Sequence, residues 1–342
     1  MILIILNIHL ISLLSIFMRM KKIAVLTSGG DAPGMNACIR SIVRTASYKN
    51  IEVYGIQYGY QGLIENNLKV LTNKDVGNTI HIGGTILKTA RSDDFRIKKG
   101  RDNAYQNLKK NKIDGLIILG GDGSLTGAKI FGDENKFPVI GIPCTIDNDL
   151  YGSDYSIGFA SARETVVDAV DKIRDTAASH ERIFIVEVMG RESGYLALES
   201  GIASGAEMIL IPENKKEIKD VISDIKKINE EKKSIIIIYA EGCKLGRLDK
   251  ISKTISKKIP GSNVRYSILG HIQRGGTAVP SDRILGTILG YKSVESILNG
   301  EKNMMVGLVE NKCLLTPLKE IINKERGINK ELMNISKIIS NY

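Results

Sequence analysis

The chain alternates short apolar runs with longer segments in which apolar residues recur every three or four positions. The runs cover residues 23–26, 51–56, 113–119, 137–142, 183–188, 208–211, 235–239 and 265–269. Helical spacing falls between them, over 98–110, 159–178, 194–204, 217–232 and 281–298. A further helix starts after Pro33, with Met35, Ile39, Ile42 and Val43 on one face, and another runs from the turn at Gly120 to about Ile130. Strands separated by helix-length segments predict parallel sheets covered on both faces. With 342 residues, two such domains are expected rather than one oversized sheet. The predicted class is α/β: two doubly wound, mostly parallel-sheet domains with the active site in the cleft between them.

In open α/β sheets ligands gather where strands end. Three strand ends here carry chemistry. Ser28-Gly29-Gly30-Asp31 follows the first strand, Gly120-Gly121-Asp122-Gly123-Ser124 the third, and Pro143-Cys144-Thr145-Ile146-Asp147-Asn148-Asp149 the fourth. Glycine turns leading into helices let a backbone approach phosphate and offer free N–H groups. Neither turn is a Walker A loop or a dinucleotide GxGxxG fingerprint. Asp122 would repel a bare phosphate but can hold Mg²⁺ that bridges to one. Asp147 and Asp149, with the Thr145 hydroxyl just before them, suit proton abstraction beside a metal-bound anion. On this stretch alone, a polar turn in which Asp and Asn bond their own backbone accounts for it equally well.

Composition narrows the classes. A hydrophobic fraction of 43% and a charged fraction of 25% are ordinary for a globular protein. Cys38, Cys144, Cys243 and Cys313 lie far apart with no CxxC pair. That spacing argues against a zinc site or a disulfide framework and fits a reducing cytoplasm. The net charge of +10 comes largely from lysines dispersed along helical segments, and there is no Trp. Nucleic-acid binding is therefore not expected, whereas a chain handling phosphorylated metabolites accommodates the charge. Residues 1–18 are apolar but lack the charged start and small-residue cleavage site of a secretory signal. They are read as an extension from a start placed too far upstream, and no membrane association is expected.

Five motifs carry a resemblance. They are residues 27–36 (Thr-Ser-Gly-Gly-Asp-Ala-Pro-Gly-Met-Asn), 120–124, 145–149, Met189-Gly190-Arg191, and 270–276 (Gly-His-Ile-Gln-Arg-Gly-Gly). In this order and spacing they resemble the bacterial ATP-dependent 6-phosphofructokinases, from about Lys21 onward. The resemblance implies transfer of the ATP γ-phosphoryl group to the 1-hydroxyl of fructose 6-phosphate, a Mg²⁺ requirement, and a homotetramer with shared active sites. It also implies a large ATP-binding domain over 21–157 and 271–322, and a smaller sugar-phosphate domain over 158–270 and 323–342. Residues 1–20 lie outside both.

Roles carried over by position follow the same resemblance. Asp147 matches the general base, Thr145 the hydroxyl on the transferring phosphoryl group, Arg91 the charge neutraliser, Asp149 a helper through water, and Asp122 the Mg²⁺ carboxylate. Gly30, Tyr60, Arg91, Ser92, Gly121, Asp122, Gly123 and Ser124 match nucleotide contacts. Ile146, Met189, Gly190, Arg191, Glu241, His271, Ile272, Gln273 and Arg274 match sugar-phosphate contacts. Arg182 and Arg265 match contacts supplied by a neighbouring subunit. Arg40, Arg44, Arg174, Gly205, Glu207, Lys232 and Lys233 match an effector site for ADP or phosphoenolpyruvate.

Departures from the family pattern are informative. Gly123 stands where pyrophosphate-using members carry an aspartate, which favours ATP over the alternative donor. Cys144 replaces the glycine usual in ATP-using members and, as a free thiol, is a candidate for oxidation. Asn73 and Glu230 stand where basic residues are usual, so effector binding is expected to be weak. Outside the kinases, a catalytically silent sugar-phosphate or nucleotide sensor is the competing reading. Such a sensor has no use for a base at Asp147.

Overall fold

The computed structural model describes residues 20–324 and 326–340; the predicted extension at 1–18 lies outside them. These residues form two compact units. One holds 20–145, 150–158 and 276–324, and the other 146–149, 159–275 and 326–340.

The first unit is built on a seven-stranded sheet. Its strands are β1 (Lys22–Thr27), β2 (Glu52–Ile56), β3 (Leu68–Leu71), β4 (Gly115–Gly120), β5 (Val139–Pro143), β10 (Met304–Val309) and β11 (Lys312–Pro317). Their order is β11-β10-β5-β4-β1-β2-β3. The pairs from β10 to β2 are parallel, while β3 and β11 run antiparallel at the two edges. β4 is buried along its whole length, because helices cover both faces and leave no position for a polar side chain. Helices α1 (Met35–Tyr48), α2 (Gly59–Ile64), α3 (Lys98–Lys110), α4 (Asp122–Asn135), α9 (Pro280–Leu298) and α10 (Leu318–Asn323) belong to this unit. Leu26, Ile56, Leu63, Phe95, Leu108, Ile118, Leu125 and Phe131 form the centre of its core.

The second unit has a four-stranded, wholly parallel sheet in the order β7-β8-β6-β9. Its strands are β6 (Arg182–Val188), β7 (Met208–Leu210), β8 (Ile235–Ala240) and β9 (Asn263–Ile268). Helices α5 (Phe159–Ser179), α6 (Tyr195–Ala203), α7 (Ile218–Glu231), α8 (Leu248–Lys258) and α11 (Lys330–Ile339) accompany it. The lysine-rich stretch around α7 is amphipathic: Val221, Ile222, Ile225 and Ile228 are buried and join Ile185, Ile235, Ile237 and Ile255 in the core.

Each expected strand and helix is present, with ends moved by up to five residues. The helix expected to stop near Ile130 continues to Asn135, since Phe131 and Gly132 are still buried. The sequence pattern assigned nothing to α2, β3, α8, β10, β11, α10 or α11. Most of these are short, and the two antiparallel edge strands face solvent on one side, so their hydrophobic period is weak.

Candidate functional site

Both glycine turns sit at carboxyl ends of strands in the first unit, side by side. A Cβ added at Gly29 would stand 3.2 Å from Ser124 Oγ, and the Ser28 N–H donates to Leu119 O at 2.9 Å. α4 begins at Asp122, so the aspartate occupies the first helical turn, with the Ser124 and Leu125 N–H groups both bonded to Gly121 O. Asp122, Gly123, Gly30 and Arg91 are exposed, while Ser124 is buried. The Tyr60 hydroxyl donates to Ser124 O at 2.6 Å, and its ring stacks on Phe95 with centroids 3.9 Å apart. Burial pushes the Tyr60 phenol well above its usual range, so it acts as a neutral donor.

The segment carrying Arg91 and Ser92 is held by residues that sequence reasoning missed. Asn36 Nδ2 donates to Ile82 O and Gly84 O, and its Oδ1 accepts from the Ile86 N–H. Thr27 Oγ1 donates to Lys88 O, and Thr89 Oγ1 to Gly29 O. Ser92 Oγ donates to Gln61 Oε1 and accepts from the Phe95 N–H. Below Phe95, the buried Arg101 makes a two-pronged ion pair with Glu134, at 2.6 and 2.7 Å, and donates to Phe95 O and Arg96 O. Thus Tyr60, Ser92 and the Asp122–Ser124 turn are brought together in one unit. Arg101 and Glu134 lie 33 positions apart in the chain, and no local pattern links them.

The residues present suit a cation that binds phosphate rather than a caged metal. Among the described residues no three His, Cys, Asp or Glu side chains gather in a metal-holding group. Asp122 alone projects at an open glycine turn, where Gly123 has no heavy atom within 4 Å of an added Cβ. Mg²⁺ keeps several waters and takes phosphate oxygens, and so needs only one or two protein carboxylates.

After β5 the chain stays in the first unit through Thr145. The Cys144 N–H donates to Gly120 O, the Ser156 hydroxyl donates to Thr145 O, and a Cβ on Gly121 would lie 3.5 Å from Thr145 Cβ. Cys144 is 1% exposed. Burial raises its pKa well above the ordinary thiol value, helped by neighbouring Cys38 and Asp282. The expectation of an oxidisable thiol is therefore corrected: a neutral, inaccessible SH is a poor nucleophile.

Residues 146–149 belong to the second unit. Asp147 is 2% exposed; its Oδ2 lies 3.6 Å from Arg191 Nε, and its carbonyl accepts from the Ser193 hydroxyl at 3.2 Å. Asn148 takes a left-handed conformation with φ of 52°, which Asn tolerates better than most residues. Arg191 also has positive φ, and Gly190 has φ of 141°; a Cβ there would meet Ser193 O at 2.5 Å. Glu241 Oε1 accepts from the N–H groups of both Gly190 and Arg191, at 3.1 and 2.7 Å. Gln273, fully buried, accepts from the Met189 N–H and donates to Gly270 O. The structure therefore gathers Asp147, Met189–Arg191, Glu241 and Gln273, with Glu241 Oε1 and the Gln273 amide spent on backbone. Glu187, half-buried on β6, is held above the usual carboxylate range by burial and by Glu241.

The remaining predicted residues divide. His271 and Ile272 are exposed on the 3-10 turn Gly270–Arg274, with Arg274 half-buried. Arg182 and Arg265 lie on neighbouring strands, where Arg182 pairs with Asn263 and Phe184 with Arg265. Arg182 Nε is buried and finds no hydrogen-bond partner among the described residues. Of the effector candidates, Arg174, Gly205, Glu207 and Lys232 cluster. The buried Glu207 pairs with Lys232 and Arg174 and accepts from the Ile236 N–H, while Arg174 donates to Ser204 O and Gly205 O. Lys233 turns away, donating to Asn229 O. Arg40 and Arg44 lie on α1 of the first unit.

Residues 22–297 match the family model described as phosphofructokinase. The chain is 49% identical over 319 residues to an "ATP-dependent 6-phosphofructokinase" of Cytophaga hutchinsonii, covering 93% of this chain and 97% of that protein. It is 47% identical to "ATP-dependent 6-phosphofructokinase 1" of Thermus thermophilus, covering 94% and 100%. Among solved structures, Pichia pastoris phosphofructokinase in the T-state superposes with a TM-score of 0.84 at 36% identity. That match covers 94% of this chain and 36% of the longer yeast one.

Proposed function

The chain belongs to the phosphofructokinase family, and on that footing we propose that it moves the γ-phosphoryl group of ATP to the 1-hydroxyl of fructose 6-phosphate, giving fructose 1,6-bisphosphate and ADP. The near end-to-end match to relatives bearing that activity in their names carries the reading. The roles of individual side chains are assigned from the family resemblance, position by position.

Asp147 takes the proton of the sugar 1-hydroxyl as that oxygen bonds to the γ-phosphorus and the bond to the β-bridging oxygen breaks, with ADP leaving with the electron pair. The Arg191 guanidinium lies 3.6 Å from this carboxylate. Arg91 neutralises charge developing on the transferring group, and Thr145 donates a hydrogen bond to it. Asp149 assists through water. Gly30, Tyr60, Ser92 and Gly121 to Ser124 receive the nucleotide, and Asp122 would hold Mg²⁺, which would supply positive charge to offset that of the phosphates. Met189 to Arg191, Glu241, His271 and Arg274 receive the sugar phosphate. Arg182 and Arg265 complete this site from a neighbouring subunit of a homotetramer. Arginine suits that task because its planar fork binds phosphate oxygens in pairs.

Arg174, Gly205, Glu207 and Lys232 serve an effector site that binds ADP or phosphoenolpyruvate weakly, since Asn73 and Glu230 supply no positive charge; Arg40, Arg44 and Lys233 are assigned to effector binding by the family resemblance alone. The described residues include no helix long and apolar enough to cross a membrane, and four free cysteines accord with a cytoplasmic location.

A coupled assay of ADP release with fructose 6-phosphate tests the proposal. Asp147→Asn is expected to lower turnover on the order of 10²–10⁴-fold. Near wild-type turnover in that variant would remove the base assignment, and a wild type inert with ATP but active with pyrophosphate would overturn the donor.

A further inference from the structure

The turn that carries Asp147 is held by a residue far along the chain. Arg326 Nη1 donates to Asn148 O at 3.0 Å, and its guanidinium lies 4.3 Å from the centroid of the Tyr195 ring. The Tyr195 hydroxyl in turn donates to Gly327 O at 2.8 Å, so one tyrosine fixes both the guanidinium and the backbone beside it. Two residues further on, Asn329 caps α11 by accepting from the Leu332 N–H, and Ser340 Oγ donates to Ala206 O at the helix's far end. The carboxy-terminal segment is thus tied to the second unit at both ends, with Arg326 reaching the turn.

We propose that Arg326 is a positioning residue for the phosphoryl-transfer step, setting the aim of the Asp147 carboxylate through the Asn148 peptide. This rests on Asp147 being the base. Two backbone carbonyls in succession, those of Asp147 and Asn148, accept from the side chains of Ser193 and Arg326. They fix the two peptide planes that flank a residue with φ of 52°. The direction in which the chain leaves this residue is thus set by two side-chain bonds. Losing the charged donor releases the second plane and lets the buried carboxylate swing away from the hydroxyl it must deprotonate. Misplacement of a reacting group by about 1 Å costs on the order of 10²-fold in rate. Arginine is required rather than lysine because the same flat group must stack on Tyr195 while donating. The contact is invisible locally, since 178 positions separate Arg326 from Asn148.

The test compares the wild type with Arg326→Ala, Arg326→Lys and Tyr195→Phe in full-length enzyme. Arg326→Ala is expected to lower kcat about 10- to 100-fold, with KM for ATP within about twofold and the melting temperature nearly unchanged. Millimolar guanidinium chloride, but not equal sodium chloride, is expected to restore part of the lost kcat. Arg326→Lys should fall between the two, and Tyr195→Phe should lose only a small factor. Wild-type kcat in Arg326→Ala, or a loss that guanidinium does not relieve, overturns the proposal. Should Arg326→Ala fail to fold, wild-type kcat in Arg326→Lys overturns it in the same way. If the wild type itself fails to phosphorylate fructose 6-phosphate, the functional reading falls, and that result is separate from either outcome.

Discussion

Gly120 is where the glycine–aspartate turn has least room, and replacing it with alanine tests how the two glycine turns are held. An added Cβ would lie 2.5 Å from Ser124 Cβ, 2.6 Å from Ser124 Oγ and 2.7 Å from the Ser28 carbonyl oxygen. Carbon atoms in contact settle at about 3.5–4.0 Å, so neighbours must retreat by roughly 1 Å. Neither can do so freely. Ser124 is tied to Tyr60 through its carbonyl and to Gly121 through its N–H, and the Ser28 N–H is bonded to Leu119 O. Overpacking of this kind costs about 1–3 kcal/mol. For a chain of this size that corresponds to a fall of roughly 2–10 °C in Tm. Displacing Asp122, two residues on, by a similar distance should cost about 10²-fold in kcat/KM for ATP. Gly123→Ala is the control for stability, because its added Cβ meets no heavy atom within 4 Å. Differential scanning fluorimetry and the coupled assay report the two effects. Wild-type Tm and kcat/KM in Gly120→Ala would refute the packing argument, as would an equally unstable Gly123→Ala.

Two further outcomes follow from buried charge and buried thiols. Removing Glu134 by alanine strands the buried Arg101 guanidinium and is expected to cost up to about 3–5 kcal/mol in urea unfolding, with a raised KM for ATP because Phe95 and Ser92 lose their support. The Arg101 hydrogen bonds hold Glu134 below the usual carboxylate range. Its contribution is therefore present above the ordinary carboxylate value and lost as pH falls from there through the lowered folded-state value; the variant should show a flatter acid limb of stability than the wild type. For the cysteines, iodoacetamide at pH 8 should leave Cys38 and Cys144 unlabelled in the native enzyme. Cys243, pushed up to about 12 by burial, should label slowly and about tenfold faster per pH unit below that value. Rapid native labelling at Cys144, mapped by mass spectrometry, would contradict its burial.

The alternation of apolar runs and helical periods determined the class of fold by itself, because a parallel strand buried on both faces leaves a continuous hydrophobic signature. β4 and β8 are plain cases, apolar in sequence and buried throughout. The positions of the glycine–aspartate turn and the Asp147 segment at strand ends were also legible, since each follows directly on an apolar run. Other features were decided only in three dimensions. Arg101 reaches Glu134, Asn36 holds the loop at 82–86, Glu241 and Gln273 fix the backbone at 189–191, and Arg326 grips Asn148. Each pairs polar groups distant in sequence, whose partners are chosen by how strands and helices pack rather than by any local spacing. Cys144 shows the same limit from the other side. The sequence supplied a thiol, but only its burial between strand ends removed its reactivity, because exposure and local dielectric are properties of packing.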